Sequence, residues 1–125
     1  MISGRVDGKG RCLLPIQIKS ARNGEAQSLD VWVDTACTTD LVLPQSEIEA
    51  LGLPVSGRVI TIPSDGRRLI QRSYSCWIDW FGKLRRVEVV SSEVSCPLLG
   101  VGLLLGLRLE VDYSKMSVIL ERPTA

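Results

Sequence analysis

The stretch LDVWVDTACTTDLVLP, residues 29–44, joins a hydrophobic strand pattern to a turn of small and hydroxyl-bearing residues. Asp34 stands where the two meet. A carboxylate buried alone beside an apolar strand is costly, so it must be paired, hydrated or functional. Either Asp34 bonds its own turn, as aspartates do in many loops, or the strand end holds it rigidly at a cleft. Taken alone, these residues leave both interpretations open.

Short β patterns separated by turn residues surround this stretch on both sides. Such spacing is typical of a closed or sandwiched antiparallel β domain. A chain of 125 residues is long enough for one hydrophobic core, so we expect a single all-β domain over residues 1–125. The predicted strands are 12–18, 29–33, 40–43, 58–62, 68–81, 84–90, 107–113 and 116–121.

Two stretches depart from the strand pattern. Residues 45–54, QSEIEALGLP, carry Ser46 and Glu49 in capping-box register and Gly52 as a terminating residue, which predicts one short helix. Residues 98–107, LLGVGLLLGL, are apolar throughout and bounded by glycines. They predict a short buried helix or turn, whose role is either core filling or support of a site.

The composition excludes several catalytic designs. The chain has no histidine, which removes Ser-His-Asp and Cys-His nucleophiles and the usual catalytic zinc sites. An enzyme of this composition would use carboxylates as acid and base, or less readily Lys, Tyr or Cys. The cysteines form no C-x-x-C pair, so we interpret them as reduced small hydrophobes, with no metal site. They are Cys12, Cys37, Cys76 and Cys96.

Charge and hydropathy argue against two classes of partner. The net charge is +1 and the basic residues are scattered, whereas a nucleic-acid-binding face usually has a clear basic excess. The first ten residues lack a signal-peptide pattern, and no apolar run approaches the ~18 residues that span a bilayer. We therefore expect a cytoplasmic protein that binds neither nucleic acid nor membrane.

A family resemblance rests on three elements in order. Residues 33–54, VDTACTTDLVLPQSEIEALGLP, resemble the retropepsin-like aspartic proteases, especially the single-domain bacterial and cellular type. In those proteins Asp-Thr-Gly follows a hydrophobic strand and precedes a Leu-x-Leu-Pro strand and an Ala-Leu-Gly-Leu helix end. Residues 97–113, PLLGVGLLLGLRLEVDY, resemble the second signature of the family, and residues 60–68, ITIPSDGRR, stand where the family has its flap. The similarity covers roughly residues 4–121.

The resemblance implies a fold and a reaction. The fold would be a small closed barrel of antiparallel strands with one or two short helices, and two copies would form a homodimer. The dimer would bring together the catalytic Asp34 of each subunit, so that the two carboxylates share a proton and activate a water against a peptide bond. The implied activity is that of an aspartic endopeptidase acting on peptide or protein substrates, with no cofactor and no metal.

Further site residues follow from the same resemblance. Thr35 would link the two active-site loops through its hydroxyl, and Ala36 would present its carbonyl to substrate. The flap tip, which would close over an extended peptide, would be Ser64, Asp65 and Gly66. The residues expected to pack behind the Asp34 loop are Leu98, Leu99 and Gly100.

The chain departs from the family pattern at two places. Ala36 replaces the expected Gly, which is tolerable where φ is negative and costly where it is positive. Thr38 and Val101 stand where retroviral members have an Asp and an Arg that form an ion pair. Two alternatives therefore remain: a catalytically weak or inactive module of the same fold that dimerises or binds extended peptides, and an unrelated small β-barrel binding domain.

Overall fold

Strands dominate the computed structural model, which describes residues 1–61, 66, 69–93 and 95–123. An all-β fold is therefore confirmed. The strands are β1 (Ile2–Val6), β2 (Cys12–Lys19), β3 (Gln27–Val33), β4 (Leu41–Pro44), β5 (Val55–Thr61), β6 (Leu69–Trp80), β7 (Lys83–Ser92), β8 (Leu98–Leu99), β9 (Arg108–Asp112) and β10 (Ser117–Glu121). Helix α1 (Gln45–Leu51) and one 3-10 helix (Val101–Leu103) accompany them.

The strands form one sheet in the order β5-β6-β7-β4-β8-β3-β2-β1-β10-β9. Strand β6 also pairs with β2, so that the pairing returns on itself through β7, β4, β8 and β3. This second contact is short, with Ile18 opposite Ile78 and Lys19 opposite Trp77. The closed barrel therefore stays a prediction. The sheet curves enough for β6 to pair with β2 as well as with β5 and β7.

The expected antiparallel arrangement holds for most strand pairs and is wrong for two of them. Strand β8 runs parallel to β3, and β4 runs parallel to β7. Parallel neighbours cannot be joined by a tight turn and need a long crossover connection, which here includes α1 and the long β5–β6–β7 hairpins. Hydrophobic alternation predicts where strands lie but carries no information on their relative direction.

Two strands lack a sequence signal of their own. Strand β1 exists because it pairs with β10 on one side and with β2 on the other. A Cβ atom at Gly4 would overlap with the carbonyl oxygen of Leu13, so glycine permits this close approach. Strand β8 has only two residues, inside the stretch predicted as a helix or turn, and owes its conformation to β3 and β4.

Helix α1 begins and ends for different reasons. Pro44 is its N-cap, with extended backbone and no side-chain cap, so the predicted capping box of Ser46 and Glu49 is wrong. Gly52 ends the helix as predicted, at φ 65°. Its N–H donates to the Glu49 carbonyl at 3.1 Å, while that of Leu53 donates to the Ile48 carbonyl at 3.2 Å, which is a Schellman motif. Neither helix in the described part of the chain has the length and apolar character needed to cross a bilayer.

The core lies behind the strands that lead to the Asp34 turn. Val31 of β3 and Leu41 and Leu43 of β4 are fully buried, and Ile48 closes the core from α1. This packing makes the strand ends rigid supports. Other members of the core cluster are Val6, Leu14, Ile16, Ile18, Val33, Leu53, Tyr74, Cys76, Ile78, Trp80, Val87, Val89, Leu99, Leu103, Val118 and Leu120.

Candidate active site

Asp34 directly follows β3, in which Val31 and Val33 are buried and Trp32 is partly exposed. The side chain of Asp34 is half-buried. Its N–H donates to the carbonyl of Leu99 at 2.9 Å, which continues the parallel pairing of β3 with β8 by one residue. The start of the turn is thus held by the sheet.

The two carboxylate oxygens of Asp34 have different surroundings. Oδ1 accepts a hydrogen bond from the N–H of Ala36 at 3.0 Å, and the Asp34 carbonyl accepts one from the N–H of Cys37 at 3.1 Å. Within the described residues, no donor reaches Oδ2. One oxygen therefore shapes the turn, while the other accepts no hydrogen bond from the described residues, so the two interpretations of this residue are compatible.

Main-chain hydrogen bonds join the loop of residues 34–40 to the segment of residues 97–103. The N–H of Val101 donates to the Cys37 carbonyl at 2.7 Å, and the N–H of Gly102 donates to the Thr39 carbonyl at 3.2 Å. Gly100 is buried, and a Cβ atom there would overlap with the carbonyl oxygen of Thr39. Glycine at this position is therefore required by space.

The three residues expected behind the loop do lie against it. Leu99 is fully buried and accepts the hydrogen bond from Asp34. Leu98 is half-buried and pairs with Trp32 of β3. Gly100 donates its N–H to the carbonyl of Asp40 at 2.8 Å. The structure thus brings Leu98, Leu99 and Gly100 together with Asp34.

The loop that contains Thr38 and the segment that contains Val101 are connected without an ion pair between these two residues. Thr38 is exposed, and Val101 bonds the loop through its main chain. The Cys37 thiol lies 3.2 Å from the Thr39 hydroxyl, which adds a further contact within the loop. Backbone hydrogen bonds therefore make the connection between the two segments.

The next two residues of the loop, Thr35 and Ala36, are both exposed. Among the described non-glycine residues, positive φ occurs only at Phe81 and Met116. Ala36 therefore has negative φ, and its Cβ atom causes no backbone strain. The condition under which alanine can replace glycine at this position is met.

The predicted flap lies largely outside the described residues. Strands β5 and β6 pair from Val55, opposite Tyr74, to Thr61, opposite Leu69. Gly66 is exposed with φ 80°. Ser64 and Asp65 lie outside the described residues.

Two clefts in the described part of the chain do not include Asp34. One, of about 710 Å³, lies between the start of α1, the first half of β6 and the end of β7. The other, of about 690 Å³, lies beside the β6–β7 turn and the chain ends. A groove completed by a second subunit would not appear as a cleft of one chain, so these volumes do not bear on the Asp34 turn.

Sequence reasoning missed one residue of this region. Asp40 was expected only as the first residue of a strand. Its carbonyl accepts from Gly100, and its Oδ2 accepts from the N–H of Glu88 at 3.2 Å. The available signal was a second carboxylate six residues after Asp34, in a loop otherwise free of charge.

Comparisons with known proteins identify the fold. No protein-family model and no curated protein matches the chain. Among solved structures, a retropepsin-like aspartic protease from Rickettsia conorii superposes with a TM-score of 0.59 at 18% identity, covering 96% of this chain and 89% of that one. The EIAV protease in complex with the inhibitor HBY-793 superposes with a TM-score of 0.52 at 18% identity, covering 78% and 88%. The chain therefore has a retropepsin-like fold.

Proposed function

We propose that residues 1–125 form one subunit of a homodimeric aspartic endopeptidase, with Asp34 of each subunit as the catalytic residue. The observation that carries this proposal is the half-buried Asp34 carboxylate, with one oxygen bonded to its own turn and the other without a donor among the described residues. The retropepsin-like fold supports it. So does the anchoring of the loop by four main-chain hydrogen bonds to residues 99–102, because catalytic groups must be held rigidly.

The mechanism requires the two Asp34 carboxylates to meet at a two-fold axis. Two carboxylates in contact cannot both ionise easily, so they share one proton. The ionised Asp34 takes a proton from a water held between the pair, while the protonated Asp34 hydrogen-bonds the carbonyl oxygen of the scissile bond. The resulting diol collapses as a carboxyl group protonates the leaving amine.

Neighbouring residues have supporting roles in the proposal. The hydroxyl of Thr35 links the loops of the two subunits, and the Ala36 carbonyl accepts a hydrogen bond from substrate. The β5–β6 hairpin, with Ser64, Asp65 and Gly66 at its tip, closes over an extended peptide that binds by strand-like main-chain hydrogen bonds. A closed barrel through the β2–β6 contact would give these parts a rigid base.

The test is cleavage of an unfolded protein substrate by wild-type protein and by Asp34→Asn, from acid to neutral pH. We expect Asp34→Asn to abolish cleavage, because the amide cannot share the proton or act as a base, and to leave the fold intact. Asp30→Asn is the matched control, since Asp30 lies on β3, four residues before Asp34, and its carboxylate pairs with exposed Arg5 at 3.2 Å. It should cleave as wild type does.

The opposite results are also informative. An Asp34→Asn protein that cleaves as well as wild type would show that the catalytic assignment is wrong. A folded wild-type dimer that cleaves at no pH would favour the second candidate, a non-catalytic module that binds extended peptides. The exposed methyl group of Ala36, where the family has glycine, favours that candidate.

A further inference from the structure

Asp40 closes the loop that Asp34 opens. The N–H of Asp34 donates to the carbonyl of Leu99, and the carbonyl of Asp40 accepts from the N–H of Gly100 at 2.8 Å. The two ends of the loop are therefore bound to adjacent residues of one segment. A displacement of Asp40 would alter the loop between these two points, including the turn that holds the Asp34 carboxylate.

The side chain of Asp40 makes a second connection. Its Oδ2 accepts a hydrogen bond from the N–H of Glu88 in β7 at 3.2 Å. A hydrogen bond to an ionised acceptor is stronger than a neutral one. The Glu88 side chain points elsewhere, since its Oε2 accepts from the Ser56 hydroxyl at 2.7 Å. Asp40 thus joins the loop to β7 as well as to residues 99–102.

The other oxygen of Asp40 fits a space that only glycine leaves. A Cβ atom at Gly102 would overlap with Oδ1 of Asp40 and would lie 3.2 Å from the Thr39 carbonyl oxygen. Gly102 does not have positive φ, so its backbone conformation does not explain the glycine. The space occupied by the Asp40 carboxylate explains why this residue is glycine.

We propose that Asp40 is a positioning residue of the active site, whose carboxylate, held by Glu88 and seated against Gly102, fixes the orientation of the Asp34 turn. This inference rests on the proposed function for its catalytic consequence. The competing explanation is purely structural: Asp40 precedes the parallel pair of β4 and β7, where Leu41 lies opposite Val89, and could serve only that pairing.

The experiment compares wild type with Asp40→Ala and Asp40→Asn. We measure kcat and KM, together with hydrogen exchange at the amides of Val101 and Gly102, which bond the loop carbonyls. Asp40→Ala should lower kcat by roughly tenfold to a hundredfold, the scale of a misplaced catalytic group, and speed exchange at both amides. KM should change by less than about threefold, because the loss falls on the transition state. Asp40→Asn retains an oxygen acceptor for Glu88 and should recover most of both properties.

A second variant covers the case in which Asp40→Ala does not fold. Gly102→Ala keeps the carboxylate but places a Cβ atom in its position, so it should change kcat and exchange in the same direction. Gly8→Ala is the matched control, because no atom lies within 4 Å of a Cβ at Gly8. It should match wild type in both measurements.

The proposal is overturned if Asp40→Ala lowers the melting temperature while kcat and exchange at Val101 stay at wild-type values. That result would leave Asp40 with the strand-pairing role alone. If the wild-type protein cleaves nothing, the proposed function fails, but the exchange measurement still decides whether Asp40 holds the loop.

Discussion

At the scale of single residues, the carboxylates of this region are distinguished by their hydrogen bonds. Asp34 uses one oxygen to shape its turn, and its other oxygen accepts from no described residue, whereas Asp40 accepts from Glu88 and packs against Gly102. Ala36 fits the loop because its φ is negative. The methyl group of Ala36, at the position where glycine was expected, is therefore compatible with the backbone of the turn.

A residue-scale prediction concerns Cys76, which is buried behind this region. Burial, with smaller contributions from the charges of Asp40 and Glu88, raises the pKa of the Cys76 thiol to about 12. The unfolded chain releases this proton at lower pH, from its ordinary pKa of 9.0. The stabilising effect is therefore complete below about pH 9 and is lost as the pH rises toward about 12.

The measurement is the free energy of unfolding in urea between pH 8 and pH 11. We expect it to fall less steeply with pH in Cys76→Ser, since serine does not titrate there. The wild-type slope should exceed that of the variant by at most roughly 1.4 kcal/mol per pH unit. Identical slopes would mean that Cys76 ionises as readily in the folded protein as in the unfolded one.

At the scale of elements, β8 and the 3-10 helix that follows it matter more than their length suggests. Together with Gly100 between them, they provide the Leu99 carbonyl and the N–H groups of Gly100, Val101 and Gly102 that bind the Asp34 loop. The long strand β6 connects distant parts of the sheet, because it pairs with β5, β7 and β2. Gly66 precedes β6 and Gly82 follows it in the chain, and their φ values are nearly equal, at 80° and 81°.

These two glycines give a matched test of the proposed flap. Among the described residues, apart from the chain neighbours, no atom lies within 4 Å of a Cβ at Gly66 or Gly82, and valine at either position introduces backbone strain of about 1–2 kcal/mol because φ is positive. We expect Gly66→Val to lower kcat/KM at least about tenfold, and Gly82→Val to leave it nearly unchanged. Urea unfolding would measure stability and peptide hydrolysis would measure turnover. Equal effects of the two variants on turnover would identify the β5–β6 turn as an ordinary hairpin.

At the scale of the whole molecule, the chain offers one Asp34 and a mechanism that needs two. The chain of 13.7 kDa has a retropepsin-like fold, and in the proposed function each catalytic site is shared between subunits. An isologous two-fold interface makes the contribution of both subunits identical. Inactive chains should therefore lower the activity of wild-type chains by forming mixed dimers with them.

Mixing tests this directly. Adding an excess of Asp34→Asn chains to a fixed amount of wild type, followed by equilibration, should reduce activity, because mixed dimers contain only one competent carboxylate. At a ninefold excess we expect roughly a tenfold loss, from random pairing of subunits. An equal excess of Asp30→Asn should not inhibit. Activity that is independent of the added Asp34→Asn chains would mean that each chain acts alone.

The sequence by itself determined the local features of this protein. Hydrophobic alternation predicted most strands, Gly52 predicted the end of α1, and a strand leading into Asp34 predicted a candidate site. These features depend on neighbouring residues, whose periodicity and turn chemistry act over a few positions. The predicted capping box is wrong because the helix begins at Gln45 with Pro44 as its N-cap, so Ser46 already lies inside the helix. The roles of the site residues, the dimer and the cytoplasmic location stay predictions.

Only the tertiary structure decided the contacts that hold the site. Strand β1 forms through its two neighbours, β8 runs parallel to β3, and Asp40 bonds the N–H of Glu88, 48 positions along the chain. The need for glycine at position 102 is explained by the Asp40 carboxylate that lies against it. Local sequence patterns cannot encode these contacts, because each depends on which distant segments the folded sheet brings together.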